Sequence, residues 1–365
     1  MKCILPNYKE CLTNVTNSLL KYYGLETYHE TLKELDEVLC EKKYKNIILI
    51  LYDGMGSKVL EKILKPKDFL NRQKIKDIHA VFPPTTTAST TSILTGKNPN
   101  EHGWLGWDLY FKEIDKVVTM FTNNYKDTNI PSAIENISEK TYGYQSIINI
   151  IGKKVNATGL FPFKETTYTD LEDRNQKILE ICANKQENFI YAYYDDPDHT
   201  MHLTGTDSEA TKDKFQIINE KTEKLCQKLQ DTLVIIIADH GHINSEFITL
   251  KDYPDLFECL MRTTSIEPRA CSFKIKEAKE QEFEKLFQKY FAKDFQLLTK
   301  QEVIEKQIFG TGKNNKHLEE TIGDYLAIAT TNKYFRYDEN GKVFASMHAG
   351  CTEDEILVPL IIYRS

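Results

Sequence analysis

The sequence predicts an α/β protein: a three-layer αβα core around a mostly parallel central sheet, with a smaller α+β insertion. Three observations predict it. Four short apolar runs, Asn46–Tyr52, Asn188–Tyr194, Thr232–Ala238 and Ile356–Tyr363, read as strands buried on both faces, the kind that parallel sheets contain. Helical periodicity lies between them, and alternating strands and helices argue for parallel pairing. The first three runs each end in carboxylates, at Asp53-Gly54, Asp195-Asp196-Pro197-Asp198 and Asp239-His240-Gly241. Open parallel sheets bind ligands just outside the carboxyl ends of their strands.

The elements follow in order. Residues 1–45 form a helical segment packed on the core, because Leu12, Val15, Leu19 and Leu20 share one helical face, as do Leu32, Leu35, Val38 and Leu39. Residues 46–255 and 336–365 make the catalytic core, and residues 256–335 the insertion. In the core, Pro83 and Pro84 stop an extended segment, and a helix starts within Thr85-Thr86-Thr87, whose hydroxyls suit N-capping. Ile218, Leu225 and Leu229 mark a helix over residues 208–230. In the insertion, Phe283, Leu286, Phe287 and Tyr290 keep helical spacing, and Tyr325–Ile328 reads as a strand. Pro359 lacks an N–H and places the last strand toward a sheet edge. Trp104, Trp107, Tyr110 and Phe111 are interleaved with Gly103 and Gly106 and read as a pocket-shaping loop, with core packing as the alternative.

Composition narrows the function. The 365 residues suffice for two domains and a sizeable core without disulfides. With 47 basic and 54 acidic residues the net charge is −7, which excludes non-specific nucleic-acid binding but permits a phosphate ligand that metal ions accompany. No apolar run approaches the roughly 20 residues that span a bilayer. The N-terminus lacks the apolar core of a signal peptide, so a cytoplasmic protein is expected. The eight cysteines include no CxxC pair and are expected to be reduced thiols. Cys351, three residues after His348, is read as a small buried hydrophobe, with a thiol near the site as the alternative. Asp53-Gly-Met-Gly-Ser-Lys58 lacks the third glycine of a dinucleotide fingerprint, and Phe309-Gly-Thr-Gly-Lys313 lacks the first glycine and the hydroxyl of a P-loop.

Asp53, Asp198 with His202 four residues on, Asp239 with His240, and His348 just before the last strand converge on one sheet edge. Three carboxylates and three imidazoles can ligate two divalent cations of the zinc type, with manganese or another divalent ion as alternatives, and such a pair is the usual clamp for phosphoryl chemistry. His199 and His242 lie close by, at offsets that suit supporting roles. The Thr85–Thr87 run supplies nucleophile candidates at a helix N-terminus, where backbone N–H groups face a phosphate. Local chemistry leaves open which hydroxyl attacks.

At these residues the chain resembles the alkaline phosphatase superfamily, and within it the type I phosphodiesterase/nucleotide pyrophosphatase branch. The resemblance spans residues 46–362. It rests on Asp53-Gly54, the FPPTTT…TSILTG segment, Glu101-His102-Gly103, the DxxxH of Asp198 and His202, and Asp239-His240-Gly241 followed by His348. It implies that Thr86 is the nucleophile, with Thr85 and Thr87 one register step away. It implies one ion on Asp198, His202 and His348, and another on Asp53, Asp239, His240 and the Thr86 hydroxyl. The absence of a Cys/Ser-x-Pro-x-Arg element disfavours sulfate esters. Aligned through His102-Gly103, Trp107 occupies the place of the family's phosphoryl-binding Asn. Tyr193 matches one of two nucleobase-clamping rings, and Thr87 stands at the other. The expected activity is hydrolysis of a small phosphodiester or nucleotide-like substrate through a phosphothreonine, with phosphomonoester or phosphonate hydrolysis as the alternative. A non-catalytic binding protein on this fold is disfavoured by the intact ligand set. Trp107, with Tyr193 opposite, is expected to line the leaving-group side. Oligomeric state is left open.

Overall fold

The computed structural model describes residues 2–162 and 167–365. Its central sheet has six strands in the order Lys74–His79, Leu357–Arg364, Thr232–Ile237, Asn46–Tyr52, Asn188–Tyr194, Asn156–Leu160. Asn46–Tyr52 pairs in parallel with both neighbours and is buried at all seven positions, which explains its unbroken apolar sequence. Only Leu357–Arg364 runs antiparallel, to both of its neighbours. The expected αβα architecture with a mostly parallel sheet is therefore present. Each fully buried Leu or Ile in these strands contributes roughly 1.5–3 kcal/mol of transfer free energy, and Ile47 to Leu51 are all at most 1% exposed.

Helices pack on this sheet. The helix Leu12–Tyr22 buries Leu12, Val15, Leu19 and Leu20, the face that its periodicity marks, and lies against the helix Thr86–Thr95. Thr16 Oγ donates to Ile93 O at 2.7 Å and Asn17 Nδ2 to Gly96 O at 2.9 Å, so polar side chains as well as apolar ones join the N-terminal segment to the threonine-rich helix. The long helix Glu209–Lys228 starts where the Ser208 hydroxyl accepts from the Thr211 N–H.

The second sheet has seven antiparallel strands, in the order Phe295–Thr299, Tyr325–Ala329, Ala270–Phe273, Ser265–Ile266, Asp108–Phe111, Lys116–Thr119, Asn124–Tyr125. It thus combines strands from residues 265–329 with three from residues 108–125. Two expectations are corrected here. Asp108–Phe111 is a strand rather than loop, and Trp104 is buried core, its indole N–H donating to Tyr142 O at 2.8 Å. Only the Trp104–Trp107 stretch is irregular.

Pro359 does not lie at a sheet edge, because Lys74–His79 covers that side and Asp77 is its partner. Pairing to Thr232–Ile237 begins only at Ile361, so the proline sits where the strand has extended beyond that neighbour and its missing N–H breaks no bond there. Cys351 is not a free thiol: it forms a disulfide with Cys3 across 348 residues of sequence, while the other six cysteines are free. Spacing could not reveal this pair, since eight scattered cysteines do not encode connectivity.

Candidate active site

The site forms at the carboxyl edge of the central sheet. Asp53 follows the central strand, and its N–H donates to Tyr194 O at 2.9 Å. Gly54 comes next at φ 71°, and a Cβ there would fall 2.9 Å from the Cβ of Asp198 and 3.0 Å from Cδ2 of His242. Only glycine gives both the left-handed turn and this close approach. Asp198 and His202 lie one turn apart on the helix Asp198–Thr204. Asp239 and His240 follow the strand Thr232–Ile237 directly. His348 arrives on the loop before the last strand, and its Nδ1 faces Pro84 O at 3.1 Å.

Thr86 is the first residue of the helix Thr86–Thr95. Its hydroxyl lies 3.4 Å from Asp53 Oδ2 and 3.2 Å from His240 Nε2. Thr85 and Thr87 do not share this position. The Thr85 hydroxyl turns away to donate to Glu267 at 2.6 Å, and Thr87 is fully buried, its hydroxyl without a hydrogen-bond partner among the described residues. A side chain without accessible surface cannot clasp a base, so the structure gives Thr87 a packing position.

All six expected ligands meet here. Asp198 Oδ1 lies 3.4 Å from His202 Nε2 and 3.9 Å from His348 Nε2, and His240 Nε2 lies 3.2 Å from Asp53 Oδ1. The His240 and His348 rings stack at 3.8 Å. Asp239 Oδ1 accepts from the Gly54 and His240 N–H groups at 3.0 Å each, whereas its buried Oδ2 has no partner among the described residues.

A buried carboxylate oxygen without a donor is costly unless a cation meets it. Among the described residues, no Lys or Arg pairs with Asp53, Asp198 or Asp239. The donors of Asp198, His202, His242 and His348 lie within 4.8 Å of one another, as do those of Asp53, Asp198 and His240. Oxygen and imidazole donors so placed fit divalent cations.

The electrostatics agree. Burial, then the neighbouring Asp198, pushes the Asp53 carboxyl well above the usual range, and burial and Asp53 do the same to Asp239. Burial acts in the same direction on Asp198, but His202, His242 and His348 outweigh it and hold that carboxyl well below normal. Burial, then His240, pushes the His348 imidazole well down. Titratable groups pushed apart in this way cluster at functional sites.

Tyr193 does not line a pocket opposite Trp107. It is 4% exposed, and its hydroxyl donates to Asp53 Oδ2. Trp107 is 39% exposed, with its ring 5.4 Å from that of Phe121. Its backbone N–H donates at 2.7 Å to Glu267 Oε1, the oxygen that also accepts from Thr85. A single carboxylate oxygen therefore joins Trp107 to the residue before Thr86. Burial raises the Glu267 carboxyl to about 7, against the pull of these two donors.

Two participants escaped sequence reasoning. Glu267 and Arg269 lie in a turn of the second sheet and carry no motif. Arg269 is fully buried against Glu355, with bonds of 2.7 and 2.8 Å, and Glu355 accepts from Gly350 N at 2.6 Å, which fastens the loop that carries His348. His242, expected in a supporting role, faces Asp198 Oδ1 at 2.5 Å, and at the preceding Gly241 a Cβ would fall 1.9 Å from Asp354 O. The tight DHGH spacing was the available signal.

The profile of the type I phosphodiesterase/nucleotide pyrophosphatase family matches residues 47–351. A comparison with curated proteins finds no match. Among solved structures, murine ectonucleotide pyrophosphatase/phosphodiesterase 5 is similar at 18% identity, over 86% of this chain and 87% of that one, with a TM-score of 0.66. An inactive variant of the murine protein in complex with AMP gives 17%, the same coverage and the same score. The human counterpart gives 19% over 87% of each chain and 0.64. At such identities the likeness is one of fold, whereas the profile covers most of the chain. The chain therefore belongs to the type I phosphodiesterase/nucleotide pyrophosphatase family and is a hydrolase.

Proposed function

We propose that this hydrolase cleaves a phosphodiester or nucleotide-like substrate through a covalent phosphothreonine on Thr86. It would use two divalent cations, with zinc the expected metal. Asp53, Asp239, His240 and the Thr86 hydroxyl would hold one, and Asp198, His202 and His348 the other. The observation that supports this reading is the convergence of the Thr86 hydroxyl, Asp53 and His240 beside an Asp239 oxygen that has no hydrogen-bond partner among the described residues. When bound, the cations would supply Lewis-acid stabilisation of charge at the entering and departing oxygens.

The chain's own residues supply position and proton control. His240 Nδ1 faces Gly241 O at 3.1 Å, so the ring donates there and presents its Nε2 lone pair on the side of the Thr86 hydroxyl, where it would help hold the cation that this hydroxyl shares. Thr86 Oγ attacks phosphorus as the bond to the ester oxygen breaks, the hydroxyl proton passing through solvent to the departing oxygen; water then cleaves the phosphothreonine, restoring the Thr86 hydroxyl and releasing a phosphomonoester. The first N–H groups of the Thr86–Thr95 helix have no intrahelical acceptor and favour the charge of the bound phosphoryl group. Trp107 lines the leaving-group side, with Phe121 as its neighbour.

A screen of chromogenic diesters, monoesters and phosphonates with Zn, Mn and Mg tests the reading. Diesters should be preferred, and Thr86→Ala should lower kcat by about three orders of magnitude or more with the fold retained. Near-full activity of Thr86→Ala would refute the covalent route, and a preference for monoesters would refute the substrate class.

A further inference from the structure

The four imidazoles of the site are tethered in one pattern. Nδ1 of His202 faces Ser346 O at 2.8 Å, Nδ1 of His348 faces Pro84 O at 3.1 Å, and Nδ1 of His240 faces Gly241 O at 3.1 Å. A carbonyl only accepts, so each ring carries its hydrogen on Nδ1 and presents a lone pair at Nε2. Metal-ligating histidines are oriented by this kind of outer hydrogen bond.

His242 follows the same pattern through a hydroxyl. Its Nδ1 lies 3.0 Å from Ser346 Oγ, and that hydroxyl spends its one hydrogen on Met201 O at 2.7 Å. The serine oxygen can therefore only accept, and Nδ1 of His242 must donate. Its Nε2 then presents a lone pair 2.5 Å from Asp198 Oδ1. Two acceptor atoms at that distance need a positive charge between them, a proton or a cation that both bind. Nε2 of His202 and of His348 face the same oxygen, and all four donors lie within 4.8 Å of one another.

We propose that His242 is a fourth protein ligand to the cation held by Asp198, His202 and His348. The inference rests on the two-cation reading above and extends it. An ion with four protein donors has one position fewer for water or substrate, and it is retained more firmly than one with three. Ser346 is the residue that sets the His242 tautomer, and its backbone carbonyl does the same for His202.

The decisive experiment is a crystal structure of the full chain soaked with Zn²⁺ alone. His242 Nε2 should lie at about 2.0–2.1 Å from an ion that Asp198, His202 and His348 also bind. An ion on those three residues with His242 still hydrogen-bonded to Asp198 would overturn this proposal and leave the two-cation reading standing. No ion at the cluster would overturn both. In solution, X-ray absorption of the Co²⁺-loaded protein should lose one imidazole in His242→Ala, and Co²⁺ affinity should fall by about tenfold or more. An unchanged imidazole count would refute the ligand role. If His242→Ala fails to fold, the wild-type crystal structure decides alone.

Discussion

Replacing Arg269 by Met tests how the second sheet supports the site. The Arg269 guanidinium makes two bonds to Glu355, one to Lys333 O at 2.6 Å and one to Thr331 O at 2.8 Å, and both members of the ion pair are fully buried. Breaking a buried pair by removing one partner costs about 3–5 kcal/mol, mostly because the remaining charge stays desolvated. Urea unfolding at neutral pH should show a loss of that size. Arg269→Met combined with Glu355→Gln removes the orphaned charge and keeps an amide oxygen as acceptor, but it cannot serve Gly350 N–H and both Thr352 donors together, and the unmet donor costs about 1–3 kcal/mol. The double variant should therefore be more stable than Arg269→Met and less stable than the parent. The pH dependence has a definite sign. Burial would raise the Glu355 carboxyl, but Arg269 outweighs it and holds it below normal. The stabilisation is thus present above the unfolded value of about 4.3 and is lost as pH falls through the folded one. The difference between parent and Arg269→Met should shrink in acid. Because Glu355 fastens Gly350, the His348 loop should loosen as well, and chelator competition should find metal held about 10–100-fold more weakly. A stability loss below about 1 kcal/mol, or a double variant no better than the single one, would refute this account.

Glu267 has the opposite sign: its carboxyl is raised to about 7, so the folded state keeps a proton that the unfolded chain releases, and stability falls as pH rises from about 4.3 to 7. Glu267→Gln keeps an oxygen for Thr85 and Trp107, and its urea midpoint should gain on that of the parent between pH 5 and 7.5; parallel curves would count against the assignment. Trp107→Ala should raise KM or reorder the diester substrates by at least ~1 kcal/mol, the scale of one aromatic contact, and unchanged kinetics on every substrate would remove Trp107 from the pocket. Thiol titration of the denatured, unreduced chain should find six reactive thiols of eight, and Cys3→Ser should cost about 2–4 kcal/mol; eight thiols would show that the Cys3–Cys351 bond does not form.

Four of the six central strands were legible, three of them because burial on both faces leaves a continuous apolar run with a carboxylate where it emerges; Lys74–His79 and Asn156–Leu160 carry no such run. The candidate ligands Asp53, Asp198, Asp239 and His240 were legible because they stand beside the ends of such runs, and His202 and His348 because they lie four residues after Asp198 and in the loop before the last strand. The place of Tyr193 follows from the sheet register and not from a ring resemblance. Leu51 pairs with Tyr193 in parallel, so Asp53, two residues past Leu51, lies on the same face. A hydroxyl on that face meets the carboxylate rather than a substrate. The second sheet was only partly legible, because Ser265–Ile266 has two residues and a strand that short has no period to detect. The disulfide was illegible for a different reason, since it joins Cys3 to a loop fixed by tertiary contacts.

The part of the site that local sequence rules could not reach is the turn from Ile266 to Ala270. Ile266 adopts φ 72°, a conformation that a β-branched residue avoids. Such strain costs about 1–3 kcal/mol and persists only where the surroundings over-determine it. Here Ile266 is paired to Cys271 on one side and to Asp108 on the other. Its carbonyl presses so close to Gly106 that a Cβ there would lie 2.5 Å away. The distortion sends Glu267 to Thr85 and Trp107, and Arg269 to the loop of His348. The helix that begins at Thr86 and the loop that carries His348 are thus held from one three-residue turn, Glu267-Pro268-Arg269. Strain at that turn has a structural reason: an unstrained Ile266 would redirect the backbone that feeds both side chains into the site.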